Sequence, residues 1–241
     1  MKTFFPIWNN SCKQIEKKVR KALYEFNMLD NINSLLIALS GGKDSLTLLF
    51  MLNTIIGRGF PKIKLYAIHV EENFSENIYN KKLLKKICDN LKIDLIFQKA
   101  PIKKKLECYS CARERRKLIF KTAKNLNIKN IAFGHHKDDI IQTLLLNLFQ
   151  KGCFEAMNPT IYMYNYDITI IRPLIFTSEK EILKFATHNK LQTTKCNCLY
   201  ENISKRKMID NLLNMIEKKF PLVKDKLFKS ILKKEKNYDN S

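Results

Sequence analysis

Residues 35–45 read Leu35-Leu36-Ile37-Ala38-Leu39-Ser40-Gly41-Gly42-Lys43-Asp44-Ser45. The first five form a short unbroken apolar run, the pattern of a strand buried on both faces of a parallel sheet. Two glycines then let the backbone turn tightly and approach a ligand with no Cβ in the way. From residue 45 to about 56 the apolar spacing is helical. In a strand, glycine turn and helix, backbone N–H groups converge where the helix dipole is positive, a setting that attracts phosphate. Ser40 and Ser45 add hydroxyl donors, and Lys43 adds a compact positive charge. Asp44 is out of place beside a phosphate unless it holds a cation, and Mg²⁺ carried by a nucleotide is the economical explanation. The spacing is not that of the longer Walker loop. The bland alternative is an ordinary Gly-Gly turn.

Outward from this stretch, residues 11–29 carry Ile15, Val19, Ala22, Leu23 and Phe26 at helical intervals. Further strands are expected at 63–70, 93–97 and 130–133, with helices at 76–91, 112–126 and 139–149. Four alternations of strand and helix predict an α/β fold, a doubly wound, Rossmann-like parallel sheet with helices on both faces. Ligands of such sheets lie beyond the carboxyl ends of the strands. Residues 161–173 read as edge strands and 178–188 as a helix. A polar segment with Cys196 and Cys198 follows, then two Lys-rich helices, with 236–241 expected to fray. The divisions are an N-terminal helical segment (1–30), an α/β domain (31–178) and a C-terminal helical region (179–241).

The chain has 241 residues and a formal charge of +21. That excess suits a surface that neutralises nucleic-acid phosphates. Only seven of the 44 basic residues are arginine, and A/T-biased codons would also enrich Lys, Asn and Ile. The arginines are the more informative, because Arg113, Arg115 and Arg116 cluster beside two cysteines. No apolar run approaches the roughly 20 residues of a membrane span, and the N-terminus is too short in apolar residues for a secretion signal. A cytoplasmic protein with no membrane partner is the expectation. An odd count of seven cysteines argues against a disulfide framework. Cys12, Cys88 and Cys153 stand alone and read as small buried hydrophobes or neutral surface residues.

The remaining cysteines form two close pairs. Cys108-Tyr109-Ser110-Cys111 precedes the arginine cluster. A C-x-x-C pair can hold zinc, hold an iron–sulfur cluster or exchange disulfides. One of Cys196 and Cys198 would supply a third thiolate, since the C-N-C spacing makes it hard for both to reach one metal. Three thiolates leave a coordination position open for chemistry, whereas structural zinc closes with four ligands. All three chemistries stay open on these residues. Gly134-His135-His136-Lys137-Asp138-Asp139-Ile140-Ile141-Gln142-Thr143 follows the fourth strand. Capping and the helix dipole account blandly for the two aspartates. They do not account for adjacent histidines, and neighbours in sequence rarely converge on one ion.

Ser-Gly-Gly-x-Asp-Ser after a buried strand resembles the PP-loop of the adenine-nucleotide α-hydrolase-like superfamily. The resemblance implies ATP cleaved between the α and β phosphates, with AMP placed on a substrate oxygen. It implies an adenine site near Ala38 and His69, with Ser40, Gly41, Gly42, Lys43, Asp44, Ser45 and Gly134 around the nucleotide. Together with the C-x-x-C before an Arg-rich helix, Gly-His-His-x-Asp-Asp-x-x-Gln-Thr, Ile171-Arg172-Pro173-Leu174 and a later Cys-Asn, the chain resembles the tRNA 2-thiolation enzymes. It is most similar to their 2-thiocytidine synthetase branch. The resemblance runs over about residues 36–221. The uridine-thiolating branch carries extra C-x-x-C pairs at both ends that are missing here.

That likeness implies a [4Fe–4S] cluster on Cys108, Cys111 and Cys196. Relatives show Cys-Asn-x-Cys where this chain has Cys196-Asn197-Cys198, so Cys198 is the alternative third ligand. It also implies adenylation of a cytidine carbonyl oxygen in tRNA, with Lys43 stabilising charge and Asp139 and Asp138 positioning groups or moving a proton. Arg113, Arg115 and Arg116 would grip RNA phosphates. A cysteine desulfurase or persulfide donor and a homodimer are implied too. The rivals are a lysidine-type ligase, which needs no cysteines, and an inactive zinc-stabilised RNA-binding module.

Overall fold

The computed structural model describes residues 6, 8–71, 77–100, 108–191, 193 and 205–238. Helix α1 (Asn10–Glu25) opens behind Asn9, whose side chain caps the Cys12 N–H at 3.0 Å. The chain continues as β1 (Ser34–Ala38), α2 (Lys43–Ile55), β2 (Lys64–Glu71), α3 (Asn77–Leu91) and β3 (Asp94–Lys99). Then follow α4 (Cys108–Asn125), β4 (Asn130–Ala132), α5 (Lys137–Lys151), β5 (Thr160–Met163), β6 (Ile168–Ile171) and α6 (Glu179–His188). Helices α7 (Lys205–Lys219) and α8 (Val223–Tyr238) complete the order.

The strands form one sheet in the order β3-β2-β1-β4-β6-β5. All neighbours run parallel except β5, which turns back on β6. Strand β1 is central, with Ile37 paired to Ala67 on one side and Ala132 on the other. From β1 the chain builds outward to β2 and β3, then crosses back to β4 on the opposite flank. The order therefore reverses beside β1, and a crevice opens beyond the carboxyl ends of β1 and β4.

Alternation along β1 feeds two apolar cores. Leu35 and Ile37 join a cluster that gathers residues from α1, α2, α3, α5, α6, α7 and α8. Leu36 faces the other way, onto Ile119, Phe120 and Ala123 of α4. Helices do cover both faces, but unequally. The terminal helices share the larger core: Ile15 and Val19 of α1 lie in it with Leu213 of α7 and Phe228 of α8.

Three local expectations are corrected. Of the two strands expected at an edge, only β5 lies there, because β6 pairs with β4 as well. The fourth helix starts at Cys108 and not near residue 112, so Cys108 and Cys111 belong to its first turn. Helix α8 continues to Tyr238, so 236–238 are helical where fraying was expected, and 239–241 lie outside the described residues. The Cys196–Cys198 segment lies outside the described residues.

Candidate active site

At the end of β1, Gly41 adopts φ +87°, a conformation that suits glycine and strains residues with a Cβ. Its N–H donates to Ser45 Oγ at 3.2 Å, and the Gly42 N–H donates to Ser40 Oγ at 3.3 Å. The two hydroxyls lie 3.1 Å apart, and Ser45 Oγ also bonds the Gly42 carbonyl at 3.0 Å. Gly42 is the N-cap of α2 and has no side chain to occupy the N–H groups of the first turn. A phosphate oxygen seated here would take over these donors.

Lys43 leaves the loop toward two carboxylates, with Nζ 2.9 Å from Glu179 Oε1 and 3.3 Å from Asp44 Oδ1. Burial works against its ammonium, but Asp44 and Glu179 outweigh that and hold its pKa above the ordinary lysine value. Asp44 shows the converse. Burial, with some repulsion from Asp139, raises its pKa, and the attraction of His136 and Lys43 offsets this only in part. Its Oδ1 is buried and has Lys43 and His136 within ion-pair distance, but it makes no hydrogen bond. A carboxylate in this state gains from a divalent cation. Among the described residues no set of three or more His, Cys, Asp or Glu forms a metal site, so nucleotide phosphates would have to complete the shell of any Mg²⁺ on Asp44.

Across the crevice, the turn after β4 packs backbone to backbone on this loop. A Cβ at Gly134 would lie 3.1 Å from both the Asp44 carbonyl carbon and the Ser45 nitrogen. The adjacent histidines then diverge. His135 stacks on Phe133 with ring centroids 5.6 Å apart, and burial pushes its pKa down to about 4. His136, only 4% exposed, turns among three carboxylates. Its Nε2 is 3.7 Å from Asp44 Oδ1 and 3.5 Å from Asp139 Oδ2, while Nδ1 is 3.7 Å from Asp138 Oδ2.

Asp138 and Asp139 each hold a backbone donor. Asp139 Oδ2 accepts the His136 N–H at 2.9 Å at the start of α5, and Asp138 Oδ2 accepts the Glu179 N–H at 2.8 Å at the start of α6. The C-terminal helices reach the same acids. Arg206 of α7 is 3.9 Å from Asp139, and Lys224 of α8 is 3.8 Å from Asp138. Lys137 pairs with Asp225, and Gln142 with Asp210.

This chain matches the family described as the PP-loop domain over residues 11–213. The tRNA-cytidine(32) 2-sulfurtransferase of Ralstonia pickettii is 34% identical over 228 residues, covering 90% of this chain and 72% of that one. Its counterpart in Citrifermentans bemidjiense is 32% identical over 228 residues, covering 90% and 89%. The chain belongs to the PP-loop family, in the tRNA-cytidine 2-sulfurtransferase branch. The fold is also that of the U34-tRNA thiolase NcsA from Methanococcus maripaludis, solved with its [4Fe-4S] cluster, at TM-score 0.76 and 24% identity over 92% of this chain and 78% of that one.

In this PP-loop chain the expected adenine side is built from backbone. Ala38 ends β1, and the next residue, Leu39, donates its N–H to the Ile68 carbonyl at 2.8 Å. His69 Nδ1 lies 2.8 Å from the Leu39 carbonyl, and the ring meets Phe97 edge-on at 6.0 Å. The imidazole thus ties the end of β1 to β2.

Cys108 and Cys111 occupy the first turn of α4. Arg113 and Arg116 are exposed and Arg115 is half-buried on the same helix. The structure brings the nucleotide loop together with Gly134, Asp138 and Asp139. Glu179, His136, Arg206 and Lys224 complete that cluster, and sequence reasoning had not assigned them. His136 lay inside a quoted motif. Glu179, Arg206 and Lys224 carry no local signal, because they arrive from distant helices.

Proposed function

We propose that this chain is an ATP-dependent tRNA sulfurtransferase that adenylates the C2 carbonyl oxygen of a cytidine, at position 32 as in its named relatives, and exchanges that oxygen for sulfur. The observation that carries the reading is the serine-lined PP-loop at the sheet's reversal point, in a chain a third identical to tRNA-cytidine(32) 2-sulfurtransferases along nine-tenths of its length.

In this reading ATP lies along residues 40–45, with adenine toward Ala38 and His69. The loop N–H groups and Lys43 hold the departing phosphates, and Asp44 holds Mg²⁺. The cytosine O2 attacks the α-phosphorus and pyrophosphate leaves. Preorganised N–H donors and a lysine at that position stabilise the charge that builds there. Asp139, next to His136 and Arg206, is the group that receives a proton when sulfur replaces AMP, and Asp138 keeps it in place. Cys108 and Cys111 with Cys196, or Cys198 in its stead, would hold a [4Fe–4S] cluster, which when bound supplies sulfide from an iron that no cysteine ligates. The donor set fits: all are thiols, and the first two share the start of one helix.

Arg113, Arg115 and Arg116, with exposed lysines of α7 and α8 such as Lys218, Lys219 and Lys229, neutralise tRNA phosphates. The cytidine leaves its stack to reach the crevice, which is simplest in a loop. A cysteine desulfurase or persulfide carrier renews the sulfur, the enzyme works as a homodimer, and its location is the cytoplasm. Among the described residues no helix is long and apolar enough to cross a membrane.

Nucleoside analysis of tRNA from a deletion strain tests the reading. Loss of 2-thiocytidine, restored by the intact gene, is the expected result. Undiminished thiolated cytidine would refute the substrate assignment. Formation of ADP and orthophosphate in place of AMP and pyrophosphate would refute the ATP chemistry.

A further inference from the structure

We propose that Glu179 is a positioning residue for Lys43, holding the ammonium away from the phosphate seat between turnovers and speeding the departure of pyrophosphate. The inference rests on the PP-loop reading above and adds to it the control of product release.

Four observations carry it. Glu179 Oε1 lies 2.9 Å from Lys43 Nζ, although the two residues come from different ends of the site, α6 and the nucleotide loop. Its backbone is anchored independently of its side chain, because the Glu179 N–H donates to Asp138 Oδ2 at 2.8 Å. Lys224 of α8 steadies the other oxygen of Asp138 at 3.8 Å. Finally, the α6 helix start does not require the Glu179 carboxylate: Ser178 and Glu181 form its capping box, through the Glu181 N–H to Ser178 Oγ at 3.4 Å and the Ser178 N–H to Glu181 Oε2 at 2.9 Å.

A carboxylate paired with the lysine of a phosphate seat opposes nucleotide binding unless it has a separate task. Adenylation leaves pyrophosphate on the loop, a product that gains negative charge when the α–β bridge breaks. The N–H groups and Lys43 that favour the reaction therefore hold the product tightly. An anchored carboxylate that competes for Lys43 weakens that grip. Release of product limits turnover in many enzymes. The Glu179 side chain is 47% exposed and that of Lys43 26%, so the pair is solvated enough to open and close without a large penalty.

The test titrates the purified chain, in Mg²⁺, with inorganic pyrophosphate and separately with α,β-methylene ATP. Glu179→Gln keeps the backbone bond and the volume but removes the charge. Pyrophosphate is expected to bind roughly two- to fivefold more tightly to this variant, the range a half-exposed ion pair allows. The ATP analogue should tighten as well, and in turnover KM for ATP should fall while kcat falls or holds. Glu179→Ala should move affinity in the same direction, and Glu179→Asp should return it toward wild type. Equal or weaker pyrophosphate binding in the Gln and Ala variants would overturn the proposal. A residue that merely supported the fold, or that held Mg²⁺, would weaken binding when changed, so the sign separates the roles. Wild-type protein that binds neither probe would sink the PP-loop reading and this inference together. Wild-type binding with an unchanged Gln variant would sink this inference alone.

Discussion

Gly134 lies against the peptide that joins Asp44 to Ser45, so close that a methyl group on its Cα would sit 3.1 Å from the backbone on either side of that bond. The two loops that frame the crevice therefore meet without an intervening side chain. Backbone, not the end of a flexible side chain, would have to give by a few tenths of an ångström. Gly134→Ala is expected to shift the β4 turn slightly against the nucleotide loop, lowering stability by about 1–3 kcal/mol, the usual range for overpacking. Affinity for an ATP analogue should fall with it. Denaturant midpoints and nucleotide titration check this, and a variant equal to wild type in both would show that the loops can separate freely.

Asp138 and Asp139 each combine a capping bond with a place in the crevice, and Asn substitution separates the two. An amide oxygen still accepts the N–H of Glu179 or of His136, so Asp138→Asn and Asp139→Asn should fold with losses near 1 kcal/mol. Asp139→Asn removes the proposed proton acceptor and should lower thiolation by about 100-fold or more. Asp138→Asn should lower it far less. Similar losses in both, following stability, would reduce Asp139 to a helix cap.

Local pattern revealed the fold because the decisive elements are local. Leu35 to Leu39 read as a buried strand, and two glycines with a helical run behind them marked the phosphate turn. The start of α4 was less legible: the helix was expected from residue 112, yet Cys108 already lies in it. Strand β6 could not be told from an edge strand, since its pairing with β4 is a long-range event that leaves little mark on four residues. The electrostatic half of the site was not legible at all. Lys43 meets Glu179, Lys137 meets Asp225 and Gln142 meets Asp210 only after α6, α7 and α8 have docked. Those helices are rich in lysine, and each carries two carboxylates with no pattern of their own, so nothing local distinguishes a carboxylate bound for the crevice from one on a solvated face.

His135 makes stability depend on pH in a defined window. Its folded pKa is about 4, against about 6.5 when exposed. Between these values the unfolded chain binds a proton that the folded chain does not. Stability from this residue is therefore complete above about pH 6.5 and declines as pH falls toward 4, by at most about 1.4 kcal/mol per unit. His135→Gln should flatten urea-derived stability across that window relative to wild type. An unchanged slope would mean that His135 protonates as readily in the folded chain as in the unfolded one.

Six of the seven cysteines should divide cleanly by substitution. Anaerobic reconstitution with iron and sulfide is expected to give a brown protein with broad visible absorption. Cys108→Ala and Cys111→Ala should each abolish the colour, and of Cys196→Ala and Cys198→Ala only the former should do so. Cys12 and Cys88 are buried in the larger apolar core, and burial pushes the Cys88 thiol up to about 12, so in the absence of a metal it stays protonated at neutral pH. Their alanine variants should keep full colour at some loss of stability. Colour lost with Cys198 and kept without Cys196 would move the third ligand by two positions while leaving the cluster intact. Zinc bound in place of iron under the same conditions would remove sulfide chemistry from these cysteines and leave the PP-loop to serve a different acceptor.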